Sequence, residues 1–120
     1  MDNQSTATAD ETTTHRQLSW AEFGSQVPLL VQEIQDFSEA REWSKFHTPR
    51  NIILALLGEV GELAELVQWK GDDNVLSLER KELDKLSQEL ADVSIYLLRL
   101  ASVTKVAAAL VEQLEGAVID

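Results

Sequence analysis

Apolar positions recur at helical spacing along most of the chain, and they are densest in Leu54–Trp69, LALLGEVGELAELVQW. This stretch is hydrophobic on almost every side of a helix, the pattern of a buried element, yet it carries Glu59, Glu62 and Glu65 in its middle. Upstream, Leu30, Ile34 and Phe37 form a helical stripe with charged residues between them. Pro28 suits a first helical turn, where its missing N–H is not needed. The pattern predicts a first helix from Pro28 to about Trp43, with Trp20 and Phe23 as a lead-in turn and Ser44–His47 as a link. Thr48–Pro49 then marks a second helix start, with Thr as cap and Pro preorganised at the first position. That helix is expected to reach Trp69–Lys70 and to stop at Gly71. Gly58 and Gly61 inside it each cost about 1 kcal/mol relative to Ala, so close approach of another backbone is expected at their level.

Gly71–Ser77 reads as a loop, with Ser77 capping a third helix and Glu79 in its first turn. Leu83, Leu86, Leu90, Val93, Leu97 and Leu100 alternate spacings of three and four, which is a bundle seam. Glu89, Asp92 and Tyr96 share the neighbouring strip. Val103–Lys105 reads as a break and Val106–Ala117 as a fourth helix. No alternating β-branched run and no Asn-Gly or Asp-Gly turn is present. The fold class is therefore all-α, a helical bundle. So few helices leave long apolar faces, which association into a homodimer or homotetramer would cover. Residues 1–17, rich in Thr, Ser, Asp and Asn, are expected to be a disordered tail. Residues 18–120 then form one domain.

The acids inside the greasy stretch change this picture. A buried carboxylate is costly unless it is paired or holds a metal. Glu59 and Glu62, three residues apart, sit about 60° apart on one helical face, and Glu89 and Asp92 repeat the arrangement. If the two pairs face each other, a like-charged pair at about 4 Å costs on the order of 1 kcal/mol in water and about 4 at an effective dielectric of 20. A hard divalent cation reverses that balance, and magnesium with its oxygen ligands suits phosphate chemistry. On spacing alone a solvated acidic face is an equally open reading. A di-iron carboxylate bundle would want Glu-x-x-His pairs projecting inward, and neither His15 nor His47 is so placed. Glu65 lies about 120° round the helix from Glu59 and fits a supporting or surface position.

Composition narrows the function classes. With 120 residues, 44% of them hydrophobic, the chain can build a core. A formal charge of −11 repels a phosphate backbone, so no nucleic-acid partner is expected, while a small phosphate ligand held through a metal is compatible. No charge-free apolar run of about 18 residues occurs, so no membrane span is expected. The N-terminus has neither an apolar signal core nor an Arg-rich amphipathic pattern. The absence of cysteine removes disulfides and thiol chemistry and fits a reducing compartment. A cytoplasmic location is expected, with the nucleus or mitochondrion also open. Trp43, Trp69 and Tyr96 lie near helix ends or acid pairs; they read either as core and subunit contacts or as a stacking wall for a base. His47 reads as a capping residue or a ligand contact.

Three segments then carry a resemblance. REWSKFHTPRN (Arg41–Asn51), ALLGEVGELAELVQWK (Ala55–Lys70) and QELADVSIYLLRLA (Gln88–Ala101) resemble the MazG-like all-α nucleoside triphosphate pyrophosphohydrolases, most closely their dCTP pyrophosphatase branch. The likeness covers roughly residues 28–106. It implies magnesium-dependent hydrolysis of a small-molecule nucleotide, dCTP or a related pyrimidine dNTP, to the monophosphate and pyrophosphate. Such an activity cleans the nucleotide pool. The resemblance also implies dimers or dimers of dimers, with sites built between neighbouring chains. Carried onto this sequence, it makes Glu59, Glu62, Glu89 and Asp92 the metal ligands. Trp43, Ser44, Lys45, Phe46, His47, Trp69 and Tyr96 become the substrate contacts. Glu62 and Glu59 are the catalytic candidates for orienting or deprotonating the attacking water. Arg50, Lys45 and Lys70 are candidates to meet phosphate charge.

Two departures stand against that pattern. Ile34 occupies the place where the dCTP-type pattern has a histidine, three residues before Phe37. The C-terminal stretch LVEQLEGAVID carries Glu115 and no Lys beyond Lys105, where the pattern has Lys, Asn and basic residues. They leave open a helical oligomerisation module of the same fold, and an enzyme for dUTP or a modified dCTP.

Overall fold

A computed structural model describes residues 17–76 and 78–119. The expected tail, apart from Gln17, and the expected cap Ser77 lie outside the described residues. Among the described residues five helices follow in order: α1 (Trp20–Ala40), α2 (Pro49–Glu65), α3 (Asp72–Leu76), α4 (Arg80–Thr104) and α5 (Ala107–Ile119). A single 3-10 turn, Trp43–Lys45, links α1 to α2. No strand occurs among the described residues, and no single helix is long and apolar enough to cross a membrane.

The first helix starts eight residues before its expected beginning. Ser19 forms a reciprocal cap with Glu22: its Oγ accepts from the Glu22 N–H at 3.0 Å, while Glu22 Oε1 accepts from the Ser19 N–H at 2.9 Å. That box satisfies two orphan donors and recruits Trp20 and Phe23 into the helix rather than a lead-in turn. Pro28 therefore lies inside α1, where it removes one backbone donor. The helix ends at Ala40, short of Trp43, because Glu42 turns left-handed at φ 57°. For a non-glycine residue this region is sparsely populated. It redirects the chain so that Trp43 leads the 3-10 turn.

The α2 start behaves as the sequence predicts. Thr48 Oγ1 accepts from the Asn51 N–H at 3.2 Å, and Pro49 takes the first position. The regular helix ends at Glu65, before Trp69, and the chain runs on as tight turns with Val67 N bonded to Ala64 O and Lys70 N to Val67 O. The expected loop after Gly71 contains a one-turn helix, α3. Glu79, placed by the sequence in the first turn of α4, is instead its cap, its N–H donating to Glu82 Oε1 at 3.2 Å. The break near Val103–Lys105 falls at Lys105, which is left-handed at φ 61°. There α5 leaves α4 at a bend of 120°.

The principal packing is α2 against α4, with α1 and α5 each resting on α4. Ile52 and Ala101 are the only buried apolar side chains among the described residues. The leucine seam of α4 is only half covered: Leu86, Val93 and Leu100 are partly buried, whereas Leu83, Leu90 and Leu97 are exposed. What α4 buries instead are Glu89 and Arg99, each 3% exposed. Gly58 and Gly61 meet nothing within 4 Å of where a Cβ would sit, so the expected close backbone approach does not occur among the described residues. Because Ile52 is the one fully buried side chain of α2 among the described residues, Ile52→Ala should destabilise the fold by about 2–5 kcal/mol. Chemical denaturation of both proteins checks this; a loss below about 1 kcal/mol would relocate the core.

A candidate metal centre at the head of an aromatic cleft

On α2 the side chains that face α4 follow from helix geometry. Ile52, Leu56, Leu63 and Leu66 all lie within about 60° of Glu59 around the axis, and all are at least partly buried. Glu59 therefore points inward with the core residues. On α4, Glu89 and Asp92 occupy the opposing face. One carboxylate oxygen each from Glu59, Glu89 and Asp92 lie within 4.8 Å of one another. Three of the four sequence-predicted ligands thus converge. Glu62 is exposed on the rim and is not part of that trio, although its negative charge reaches Glu59.

The electrostatics register the crowding. The Glu59 carboxyl sits above the usual carboxylate range, first because burial disfavours its charge, then because Glu62, Asp92 and Glu89 repel it, with a hydrogen bond to Asp92 adding to the effect. Glu89 has one oxygen 3.7 Å from Lys85 Nζ, and its buried Oε2 has no hydrogen-bond partner. A buried, unpartnered carboxylate oxygen is costly. An all-oxygen donor set with such an orphan fits a hard divalent cation. At metal–oxygen distances of about 2.0–2.6 Å, opposed ligands of one shell lie roughly 4–5 Å apart.

From this acid cluster a cleft of about 890 Å³ runs between α1 and α4. Glu59 and Asp92 line it, with Tyr96, Trp43 and His47 further along. Trp43 is set edge-on to Phe37 at 5.2 Å between ring centroids, and 6.0 Å from the His47 ring. The Arg41 guanidinium lies over Phe37 at 4.4 Å and over Trp43 at 5.8 Å. His47 Nδ1 accepts from Arg99 Nε at 2.9 Å. Burial first, and then the Arg99 charge, lower the His47 pKa, so the ring is held neutral with its proton on Nε2.

The remaining predicted contacts are placed elsewhere. Ser44, Lys45 and Phe46 do not line the cleft; Lys45 Nζ lies over the Phe46 ring at 5.3 Å. Trp69, past the end of α2, is 88% exposed. Lys70 pairs with Glu82 at 2.7 Å, which occupies one of the three cations expected to meet phosphate. Arg50 and Glu65 are exposed. Sequence reasoning missed Arg99 and its partner Gln35, whose Oε1 accepts from Arg99 Nη1. A signal existed: Arg99 continues the strip of Asp92 and Tyr96 at a spacing of three, inside an otherwise apolar run.

The model of the MazG nucleotide pyrophosphohydrolase domain matches residues 47–113. The dCTP pyrophosphatase 1 of Rattus norvegicus is 52% identical over 69 residues, which is 56% of this chain and 41% of that protein. The Homo sapiens protein of the same name is 51% identical over the same length. The chain spans about two fifths of the length of these curated relatives. A crystal structure of a pyrophosphatase from Archaeoglobus fulgidus is similar with a TM-score of 0.66 and 29% identity, covering 86% of this chain and 93% of that one.

The crowded carboxyls set the pH response. Since the Glu59 pKa is raised in the folded state, its contribution to stability is greatest at acid pH and is lost as pH rises through the folded value. Without divalent cations, Glu59→Gln should therefore melt above the parent protein at pH 7, and the gap should shrink at pH 4. Magnesium at a hundred times its Kd should stabilise the parent by about 2.7 kcal/mol and the variant by less. Thermal melts with EDTA and with magnesium check both signs.

Proposed function

The chain belongs to the MazG nucleotide pyrophosphohydrolase family, and we propose that it hydrolyses a nucleoside triphosphate to the monophosphate and pyrophosphate. The preferred substrate is a pyrimidine deoxynucleotide such as dCTP. The observation that carries this reading is the convergence of Glu59, Glu89 and Asp92 at the end of a cleft that also holds Trp43, His47 and Tyr96. The names of the Rattus norvegicus and Homo sapiens relatives support dCTP.

In this reading Glu59, Glu89 and Asp92, completed by Glu62 from the rim, hold magnesium. Bound there, the ion supplies charge neutralisation and polarises the phosphoryl oxygens. Tyr96 and Trp43 flank the sugar and base. Glu62, exposed to water yet close enough to repel Glu59, is placed to take a proton from the attacking water. The water oxygen bonds to the α-phosphorus as the bond from that phosphorus to the bridging α–β oxygen breaks. The bond's electron pair leaves with pyrophosphate. Two copies associate through the outward face of α2, where Leu54 and Leu57 are exposed beside Gly58 and Gly61. Exposed Trp69 then belongs to the space between copies.

Pyrophosphate release over a panel of dNTPs with magnesium tests the activity. Turnover is expected, highest for dCTP. A folded protein that turns over no nucleotide would overturn the reading. Glu62→Gln should lower kcat by about 10²–10⁴ with the helical circular dichroism unchanged, because the amide keeps the shape and loses the basicity. Retained kcat would assign proton transfer to another group.

A further inference from the structure

One side chain in the cleft has no part in the acid-centred chemistry. Arg99 lines the cleft and is 3% exposed. Its two protein contacts are both to neutral groups, Nε to His47 Nδ1 and Nη1 to Gln35 Oε1. Among the described residues no carboxylate lies within ion-pair distance of it. A buried cation without a counter-charge is costly, and an apolar side chain of similar volume would fill the place at lower cost. A guanidinium carries five N–H groups. The two contacts use two of them, and the other three have no acceptor among the described residues.

Position along α4 says which part of a ligand these donors meet. Asp92, Tyr96 and Arg99 follow at spacings of four and three, so they form one strip. Arg99 lies about 10 Å along the axis from Asp92. That is beyond the reach of a phosphate held at the acid cluster and suits the far end of the same nucleotide. The neighbouring His47 accepts through Nδ1, so its Nε2–H is a donor as well. The polar groups at this end of the cleft therefore offer donors to a ligand.

We propose that Arg99 is the specificity-determining residue of the cleft: its unpaired guanidinium N–H groups, beside His47, select a nucleobase that presents two adjacent hydrogen-bond acceptors. The ligand class rests on the nucleotide reading above. Cytosine offers O2 and N3, and guanine O6 and N7, a pair that arginine reads bidentately in duplexes. Adenine sets an amino donor beside N7, and uracil sets an N–H between its two carbonyls, so each breaks the acceptor pair.

Calorimetry with the uncharged nucleosides deoxycytidine, deoxyguanosine, deoxyuridine and deoxyadenosine in EDTA tests this without metal, phosphate or turnover. The parent protein should bind deoxycytidine and deoxyguanosine at least tenfold tighter than deoxyuridine and deoxyadenosine. Arg99→Met should bring that ratio close to one while magnesium alone still raises the melting temperature. Arg99→Lys keeps the charge but loses the planar fork, and should lose most of the ratio as well. No base preference in the parent, an unchanged ratio in either variant, or equal weakening of all four ligands would overturn the proposal. Failure of both variants to fold would do the same, by making Arg99 a structural residue. Base selection without triphosphate turnover would overturn the hydrolase reading alone; turnover without base selection would overturn this one.

Discussion

Mutual repulsion of carboxylates across the α2–α4 contact is the constraint on which the rest of the molecule depends. The principal helix pair of the fold packs through the face that carries Glu59, Glu89 and Asp92. The energy gained by burying Ile52 and its neighbours is set against charges that oppose the same approach. The raised pKa of Glu59 and the unpartnered Glu89 oxygen are two expressions of that opposition. An apolar pair in those places would give a more stable bundle and no site. A divalent cation would relieve that opposition, and in the reading proposed above ion binding and packing of the two helices would be thermodynamically linked.

The opposite end of the cleft uses the same device with the sign reversed. Arg99 is buried against His47 and Gln35, both neutral, so its charge is solvated by hydrogen bonds and not cancelled. A chain with net charge −11 could have supplied a carboxylate there. With acids gathered at one end and a guanidinium at the other, the cleft is polarised along α4. The acid end repels an anionic group, so this field would favour a ligand's phosphates there only once a divalent cation had neutralised the carboxylates.

Much of this could be read from the residues, and the misses have specific causes. The α2 start was legible because Thr48 and Pro49 act locally. The meeting of the acids was legible only in part: i,i+3 spacing fits a solvated acidic face equally well, and of the four acids Glu59, Glu89 and Asp92 come together while Glu62 stays exposed. The start of α1 was misread because Pro28 is a strong local signal, whereas the Ser19–Glu22 box that overrides it is a reciprocal pair of weak ones. The end of α2 was misread because the i→i+3 turns after Glu65 keep a helical periodicity without the helix. Arg99 escaped notice because a lone arginine in a leucine-rich helix reads as a charged surface position. Its place on the strip of Asp92 and Tyr96 is the one sign the sequence carries; its burial against Gln35 of α1 and His47 is a tertiary fact. Trp69 was grouped with Trp43 by residue type; its exposure separates them.

Turning Glu59 inward also fixes what α2 shows to the outside. Leu54, Leu57 and Gly61 lie roughly 140–200° round the helix from Glu59, and Leu54 and Leu57 are 58% and 67% exposed. Among the described residues nothing approaches Gly58 or Gly61, so their helix-propensity cost of about 1 kcal/mol each has no offset there. A band of exposed leucines interrupted by small residues is what a second helix needs in order to come close. The association proposed for two copies would place that helix there and offset both the exposed apolar area and the glycine cost. It would also stiffen α2, and with it the position of Glu59 across from Glu89 and Asp92. On this argument the inner charge cluster and the outer apolar band are two consequences of a single helix rotation: a change that rolled α2 by one residue would move the glutamate out of the trio and the leucines off the contact together.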